Sequence, residues 1–190
     1  LVIDPPDGRI PYTSVMRDRG RLQAAYRVGG VRNSWVDVDT GERCLTDGIP
    51  MFWLGYNPNH QIVQTPDYVA ILVEMIHDAR IVPLDGRPHL SSSVGQWMGD
   101  ARGRWEGDTL VVDVVHLSGQ TWFDRTGNFH SEALHVVERY SLLDADHINY
   151  EVTIEDPAVF TRPWTMRMNL YRRTEPNFQL LDYDCHAFEW

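Results

Sequence analysis

The stretch Gly103-Arg104-Trp105-Glu106-Gly107-Asp108-Thr109-Leu110-Val111-Val112 decides the fold, because it places a short turn between two segments of strand-forming residues. A Gly-Asp pair between such segments is typical of a two-residue β-hairpin turn, since glycine readily adopts a positive φ. The stretch therefore predicts an antiparallel hairpin with strands over 101–106 and 109–116.

The same two-residue periodicity recurs on both sides of this hairpin. It predicts about nine strands in all, the others spanning 62–64, 68–76, 79–84, 133–142, 147–155, 163–172 and 178–185. No helix between them is long enough for a parallel crossover, so neighbours in sequence pair as an antiparallel meander. A meander of this size hides its edges most simply by closing into a barrel or half-barrel, and the expected fold is all-β and lipocalin-like or calycin-like.

The chain of 190 residues fits one domain, 1–190. Residues 61–190 form the expected barrel, and residues 1–60 an arm, a short helix and loops packed against it. The arm is the proline-rich Asp4–Pro11, and the helix is capped by Ser14 and ends near Val28, before two glycines.

Composition restricts the partners. A net charge of -10 argues against nucleic acid or an anionic membrane surface. No apolar run approaches the roughly 20 residues that span a bilayer. The 7 Trp and 8 Tyr suit a hydrophobic or aromatic small-molecule ligand. The chain begins at Leu1 without a signal-like segment, as a trimmed form would, and a homodimer is left open. Cys44 and Cys185 form either one disulfide or two buried thiols.

Two predicted strands carry ionisable groups on apolar faces. Both faces around Glu74 are apolar, which indicates a buried carboxylate that either pairs with Arg80 or acts as a general acid or base. Over 133–142 each face mixes apolar and ionisable residues, so either Glu138 with Tyr140 or His135 with Arg139 enters the interior. Asp113, on the preceding strand, is expected to face outward.

These groups favour a cofactor-independent enzyme that transfers protons on a hydrophobic, aromatic or polycyclic molecule, as a lyase, isomerase, cyclase or decarboxylase would. The base is His130 or His135, Glu138 or Glu74 orients it or acts as the acid, and Tyr140 donates a hydrogen bond. No Gly-rich phosphate loop or Gly-x-Ser-x-Gly elbow occurs, which argues against nucleotide cofactors and serine hydrolase chemistry. The residues expected to bind the substrate are arginines, tryptophans and histidines: Arg104, Arg139, Trp97, Trp105, Trp122, His89 and His116.

Two other functions remain open. The first is a non-catalytic, exported protein that binds an apolar ligand. The second is a metal-dependent hydrolase or oxygenase using His130, Glu132 and His135. On one continuous strand His130 and His135 point to opposite faces, which disfavours a shared metal, and no metal site is predicted.

Seven motifs spread along the chain resemble a widespread family of uncharacterised bacterial proteins that are usually exported. The motifs are Asp4–Pro11, Gln64-Thr65-Pro66, Asp85-Gly86-Arg87-Pro88-His89, Gly103–Val112, His130-Ser131-Glu132-Ala133-Leu134-His135, Glu155-Asp156-Pro157 and Thr161-Arg162-Pro163-Trp164. The resemblance implies a periplasmic or extracellular location, where a disulfide between Cys44 and Cys185 is favoured. It implies no activity.

Overall fold

The structure, a computed structural model, describes residues 1–18, 38, 40–50, 57–121, 128–183 and 185–186. Every strand pairing in it is antiparallel, and the predicted all-β fold is confirmed. The strands are β1 (Val2–Asp4), β2 (His60–Gln64), β3 (Tyr68–Val73), β4 (Ala79–Pro83), β5 (Asp100–Glu106), β6 (Thr109–Val115), β7 (His135–Leu142), β8 (His147–Glu155) and β9 (Trp164–Tyr171). Short 3-10 turns cover Gly41–Arg43 and Met75–His77.

The strands form two sheets. The larger has the order β1-β9-β8-β7-β6-β5 and the smaller the order β2-β3-β4. The predicted central hairpin is confirmed, since β5 and β6 pair from Asp100 opposite Val115 to Glu106 opposite Thr109. Its two-residue turn needs glycine, because Gly107 has a φ of 59°.

The two sheets form an open half-barrel, with β4 lying beside β5. A Cβ on Gly103 of β5 would stand 2.6 Å from Leu84 Cδ2 and 2.8 Å from Val82 Cγ1, so the absence of a side chain lets β4 approach. At the other end, no ladder among the described residues joins β2 to β9. The half-barrel therefore opens between β2 and the part of β9 that β1 does not cover, and a closed barrel does not form.

The core lies between the two sheets. One face of the large sheet, running through Val112, Val136 and Val152, packs on Ile71 and Val82 of the small sheet. Along β7, Val136 and Glu138 are 0% and 1% exposed and face this core. Side chains alternate along a strand, so the following residues of β7 alternate outward and inward. The question left open by the sequence is thereby answered: Glu138 and Tyr140 point inward, and His135 and Arg139 point outward.

The ninth predicted strand is wrong. Residues 178–183 and 185 form no strand, and β9 is instead paired at its outer edge by β1 of the N-terminal arm. The C-terminal segment binds side chains rather than a strand: Leu181 N donates to Glu74 Oε2 at 3.1 Å, and Tyr183 O lies 3.1 Å from His77 Nδ1. An alternating sequence does not reveal whether the backbone N–H and C=O groups form hydrogen bonds with a neighbouring strand or with side chains.

The end of this segment is fixed by a disulfide between Cys185 and Cys44, 141 residues apart in sequence. Of the two alternatives for the cysteines, the bridge is the one formed. Residues 14–18 are helical, at the start of the predicted helix, and residues 19–28 lie outside the described part of the chain. No helix in the described ranges is long and apolar enough to cross a membrane.

Candidate functional site

The centre of the site is a buried ion pair between the sheets. Glu138 of β7 accepts a hydrogen bond from Arg80 Nη2 of β4, and the two side chains are 1% and 2% exposed. Arg80 thus pairs with Glu138 and not, as the sequence suggested, with Glu74. The reason is local: Ile76, with a φ of 62°, breaks the alternation of faces between Glu74 and the start of β4.

Two phenols complete the cluster. Tyr140 and Tyr150 face each other across β7 and β8, with ring centroids 4.9 Å apart. Their hydroxyls donate to Glu138 Oε1 at 3.1 Å and 2.8 Å. Burial, reinforced by the nearby Glu138 charge, raises the pKa of both phenols well above the usual value. Both tyrosines therefore stay neutral and act as donors towards the carboxylate.

The arginine is incompletely bonded. Burial would lower the pKa of Arg80, but the charge of Glu138 and the hydrogen bond to it outweigh burial and raise it. Its Nε and Nη1 are buried without a hydrogen-bond partner among the described residues. Unsatisfied buried donors cost free energy, so this cluster is not the arrangement that stability alone would favour.

The cluster forms one wall of a cavity of about 30 Å³ at the opening between β2 and β9. A water molecule needs roughly 10–15 Å³ measured in this way, so the cavity holds about two waters or one polar group of a ligand. Ile62 of β2, one of the residues that line it, is 41% exposed. The residues that line it are mostly apolar and aromatic: His60, Ile62, Ile71, Glu138, Tyr140, Tyr150, Met168 and Leu170.

His60, the first residue of β2, lines this cavity and was missed in the sequence analysis. Its Nδ1 lies 2.8 Å from the carbonyl oxygen of Pro58. Burial lowers the pKa of His60, and this hydrogen bond opposes the shift in part. The sequence does indicate this position, because His60 and Ile62 are two residues apart and therefore share one face of the strand.

Of the predicted catalytic residues, the structure brings Glu138 and Tyr140 together at the cavity. Glu74 is buried elsewhere, where Asn57 Nδ2 donates to its Oε1 at 2.7 Å and Asn59 Nδ2 to its Oε2 at 3.1 Å. Burial would raise the pKa of Glu74, but hydrogen bonds from Leu181 and the two asparagines hold it below the usual value. This carboxylate anchors the C-terminal segment.

His130 lies in the loop before β7, 5% exposed. It forms hydrogen bonds with Thr121 Oγ1 and, through Nδ1 at 2.8 Å, with Ser131 O. Burial lowers the pKa of His130, opposed by the Ser131 carbonyl and the Asp156 charge. His130 does not line the cavity.

His135 belongs to a chain of titratable groups on the outer face of the large sheet. Asp113 joins two histidines, with Oδ1 2.8 Å from His89 Nε2 and Oδ2 2.9 Å from His135 Nε2. His89 Nδ1 lies 3.0 Å from Asp100 Oδ2, and His135 Nδ1 lies 3.9 Å from Glu155 Oε2. Because a carboxylate only accepts hydrogen bonds, His89 makes both of its contacts when both ring nitrogens carry a proton.

Burial would raise the pKa of Asp113, but the hydrogen bonds with His135 and His89 outweigh burial and lower it. Asp113 faces outward, as predicted. These hydrogen bonds thus hold the loop that contains His89 against the large sheet. They bring His135 together with His89 but not with Glu138. His116, directly after β6, has its ring 6.2 Å from that of His89.

The other predicted substrate-binding residues lie apart from the cavity. Arg104 and Arg139 are exposed and both bind Glu106, at 2.6 Å and 3.0 Å. Trp97 Nε1 donates to a backbone carbonyl at 2.7 Å, and Trp105 is 45% exposed. Trp122 lies outside the described residues.

No group of three or more His, Cys, Asp or Glu side chains within the described ranges is arranged to hold a metal ion. No protein-family model, curated protein or solved structure matches the chain.

Proposed function

We propose that the protein binds a small, largely apolar molecule at the opening between β2 and β9 and transfers a proton on it without a cofactor. The observation that carries this proposal is that Glu138, which Arg80 pairs with, lines a mostly apolar cavity together with Tyr140 and Tyr150. Apolar walls with a few converging polar groups are the usual composition of a ligand site.

Stability does not account for the cluster. Replacing a buried ion pair by apolar residues of similar volume is often neutral or stabilising. The position next to the opening supports a functional reason for keeping the charges. The cavity takes the polar end of a ligand, and the exposed Ile62 continues the apolar surface for its body.

Each group has a chemical task in this proposal. Glu138 supplies negative charge beside the ligand, where it stabilises positive charge that develops during proton transfer. The two phenols and Arg80 hold the carboxylate oriented through hydrogen bonds. His60, which lines the same cavity, accepts the proton. His60 thus takes the role that the sequence analysis gave to His130 or His135.

A non-catalytic ligand-binding protein is the second candidate. It is favoured by the bonding of Glu138, whose oxygens already accept three hydrogen bonds from the protein. The Cys44–Cys185 disulfide is compatible with an oxidising compartment, and we place either function outside the cytoplasm.

Binding is tested with 2-naphthol, whose fluorescence reports its environment, on wild type and on Leu170→Trp, which fills the mouth of the cavity. Leu143→Trp, on the exposed β7–β8 turn, is the matched control. We expect Leu170→Trp to weaken binding about tenfold or more and Leu143→Trp to leave it unchanged. Equal affinity of all three proteins would overturn the site.

Proton transfer is tested by deuterium exchange at carbon 1 of 2-naphthol in D₂O, followed by NMR. We expect wild type to accelerate exchange, Tyr150→Phe to slow it while keeping the ion pair, and Glu138→Gln to abolish it. If bound naphthol exchanges no faster than free naphthol, the enzyme hypothesis is wrong and the protein is a non-catalytic binding protein.

A further inference from the structure

The polar atoms that line the cavity share one property, which is that their hydrogen-bond donors are already used. The groups concerned are His60, Glu138, Tyr140 and Tyr150. A carboxylate only accepts hydrogen bonds. Each tyrosine has one hydroxyl hydrogen, and each donates it to Glu138 Oε1, at 3.1 Å and 2.8 Å. The two phenol oxygens retain lone pairs but have no hydrogen left to offer.

The same holds for His60. The partner of its Nδ1 is the carbonyl oxygen of Pro58, 2.8 Å away, and a carbonyl oxygen only accepts. Nδ1 therefore carries the hydrogen, and in the neutral imidazole Nε2 is an acceptor. The lowered pKa of His60, caused by burial, agrees with a neutral ring. Glu138 lines the cavity together with His60, whereas Arg80 is not among the lining residues.

Resting on the proposed function, we infer that the ligand is an apolar molecule that carries a hydrogen-bond donor, such as a phenol, an alcohol or an amine, and that His60 Nε2 receives this donor. An anionic ligand would meet Glu138 without a free donor among the lining residues. An ether or a ketone would leave the acceptors of the cavity unpaired. Sites built for a hydrogen-bonding group reject analogues that lack it.

His60 is then also the group that deprotonates the ligand. The O–H or N–H bond breaks, its hydrogen moves as a proton to Nε2, and the electron pair stays on the ligand atom. The imidazolium that forms is stabilised by the carboxylate of Glu138 on the same cavity wall. No oxidant, metal or further reactant takes part in this step.

Three compounds that share the naphthalene ring and differ in the group at carbon 2 test the inference by calorimetry. They are 2-naphthol, 2-methoxynaphthalene and 2-naphthoate. We expect wild type to bind 2-naphthol at least about tenfold more tightly than the methyl ether and to bind the carboxylate least. In His60→Phe, which keeps a flat ring but no Nε2, the preference for naphthol over the ether should fall several-fold, while the affinity for the ether is kept.

The two proposals fail differently. If Leu170→Trp weakens both naphthol and its ether, and wild type binds them equally, the cavity is the site and the donor inference is wrong. A preference for naphthol that is unchanged in His60→Phe removes His60 from the inference. If none of the three compounds binds wild type, the proposed site itself is overturned.

Discussion

Replacing Arg80 by Met is expected to lower the free energy of unfolding by about 3–5 kcal/mol, the usual loss when one partner of a buried ion pair is removed. The magnitude belongs at the upper end for two reasons. The Glu138 and Arg80 side chains are 1% and 2% exposed, so only the few waters that fit in the cavity can solvate the unpaired carboxylate. No other cation among the described residues bonds to Glu138.

The double variant Arg80→Met/Glu138→Leu decides whether charge or packing causes the loss. It removes both charges and leaves Tyr140 and Tyr150 without their acceptor, at a cost of about 1–3 kcal/mol for each hydroxyl that stays dry. The cavity lies beside both rings and admits water. We therefore expect the double variant to recover most of the stability lost in Arg80→Met, so that its loss is clearly smaller than the sum of the two single-variant losses.

The assay is urea unfolding at pH 7 of wild type, both single variants and the double variant, with the disulfide intact. An unchanged m-value shows that the same surface is exposed on unfolding in all four proteins. A double variant no more stable than Arg80→Met would refute the electrostatic argument. The proposed function adds that the double variant loses ligand binding even where its stability recovers.

Three further results are expected. Replacing Cys44 and Cys185 by Ser should lower the free energy of unfolding by about 2–5 kcal/mol, because the bridge closes a long loop, and dithiothreitol should then no longer affect thermal unfolding. Gly103→Ala should destabilise by about 1–3 kcal/mol in urea, since its Cβ would stand 2.6 Å from a neighbouring methyl carbon, whereas Gly95→Ala, with open space around it, should change little. The folded pKa of Asp113 is lowered, so its stabilisation is present above the unfolded value of about 3.9 and is lost as the pH falls through the folded pKa. The stability difference between wild type and Asp113→Asn should therefore shrink below about pH 4, and a difference that grows there would contradict the assignment.

The fold was largely predictable because strand alternation and turn residues are local signals. Gly107-Asp108 predicted the β5–β6 hairpin, and the period-two pattern located six further strands. The pairing of β1 with β9 was not predictable, because it joins residues more than 150 positions apart and three extended residues look like any other arm. The prediction of a strand over 178–185 was wrong for the same reason, because local alternation does not show which distant segment pairs with β9.

The site was predictable only in part. Alternation limited the interior of β7 to two choices, and Glu138 with Tyr140 was one of them. Which choice is correct depends on Arg80, which reaches Glu138 only because β4 folds over β7 in the half-barrel. The position of His60 at the cavity could not be predicted from residue type alone, because it depends on the backbone carbonyl of Pro58 and on the edge position of β2.

The opening between β2 and β9 also has a kinetic consequence. β2 has 5 residues and, within the described residues, pairs on one side only, with β3, whereas β6, β7 and β8 are each paired on both sides. Elements with fewer partners open at lower free energy than the global unfolding of the protein. We expect the amides of β2 to exchange with deuterium much faster than those of β7. Fraying of β2 would move Ile62 and His60 outward and widen a cavity of about 30 Å³ while the Arg80–Glu138 pair stays in place. The entry rate of a ligand would then be governed by the breathing of one edge strand.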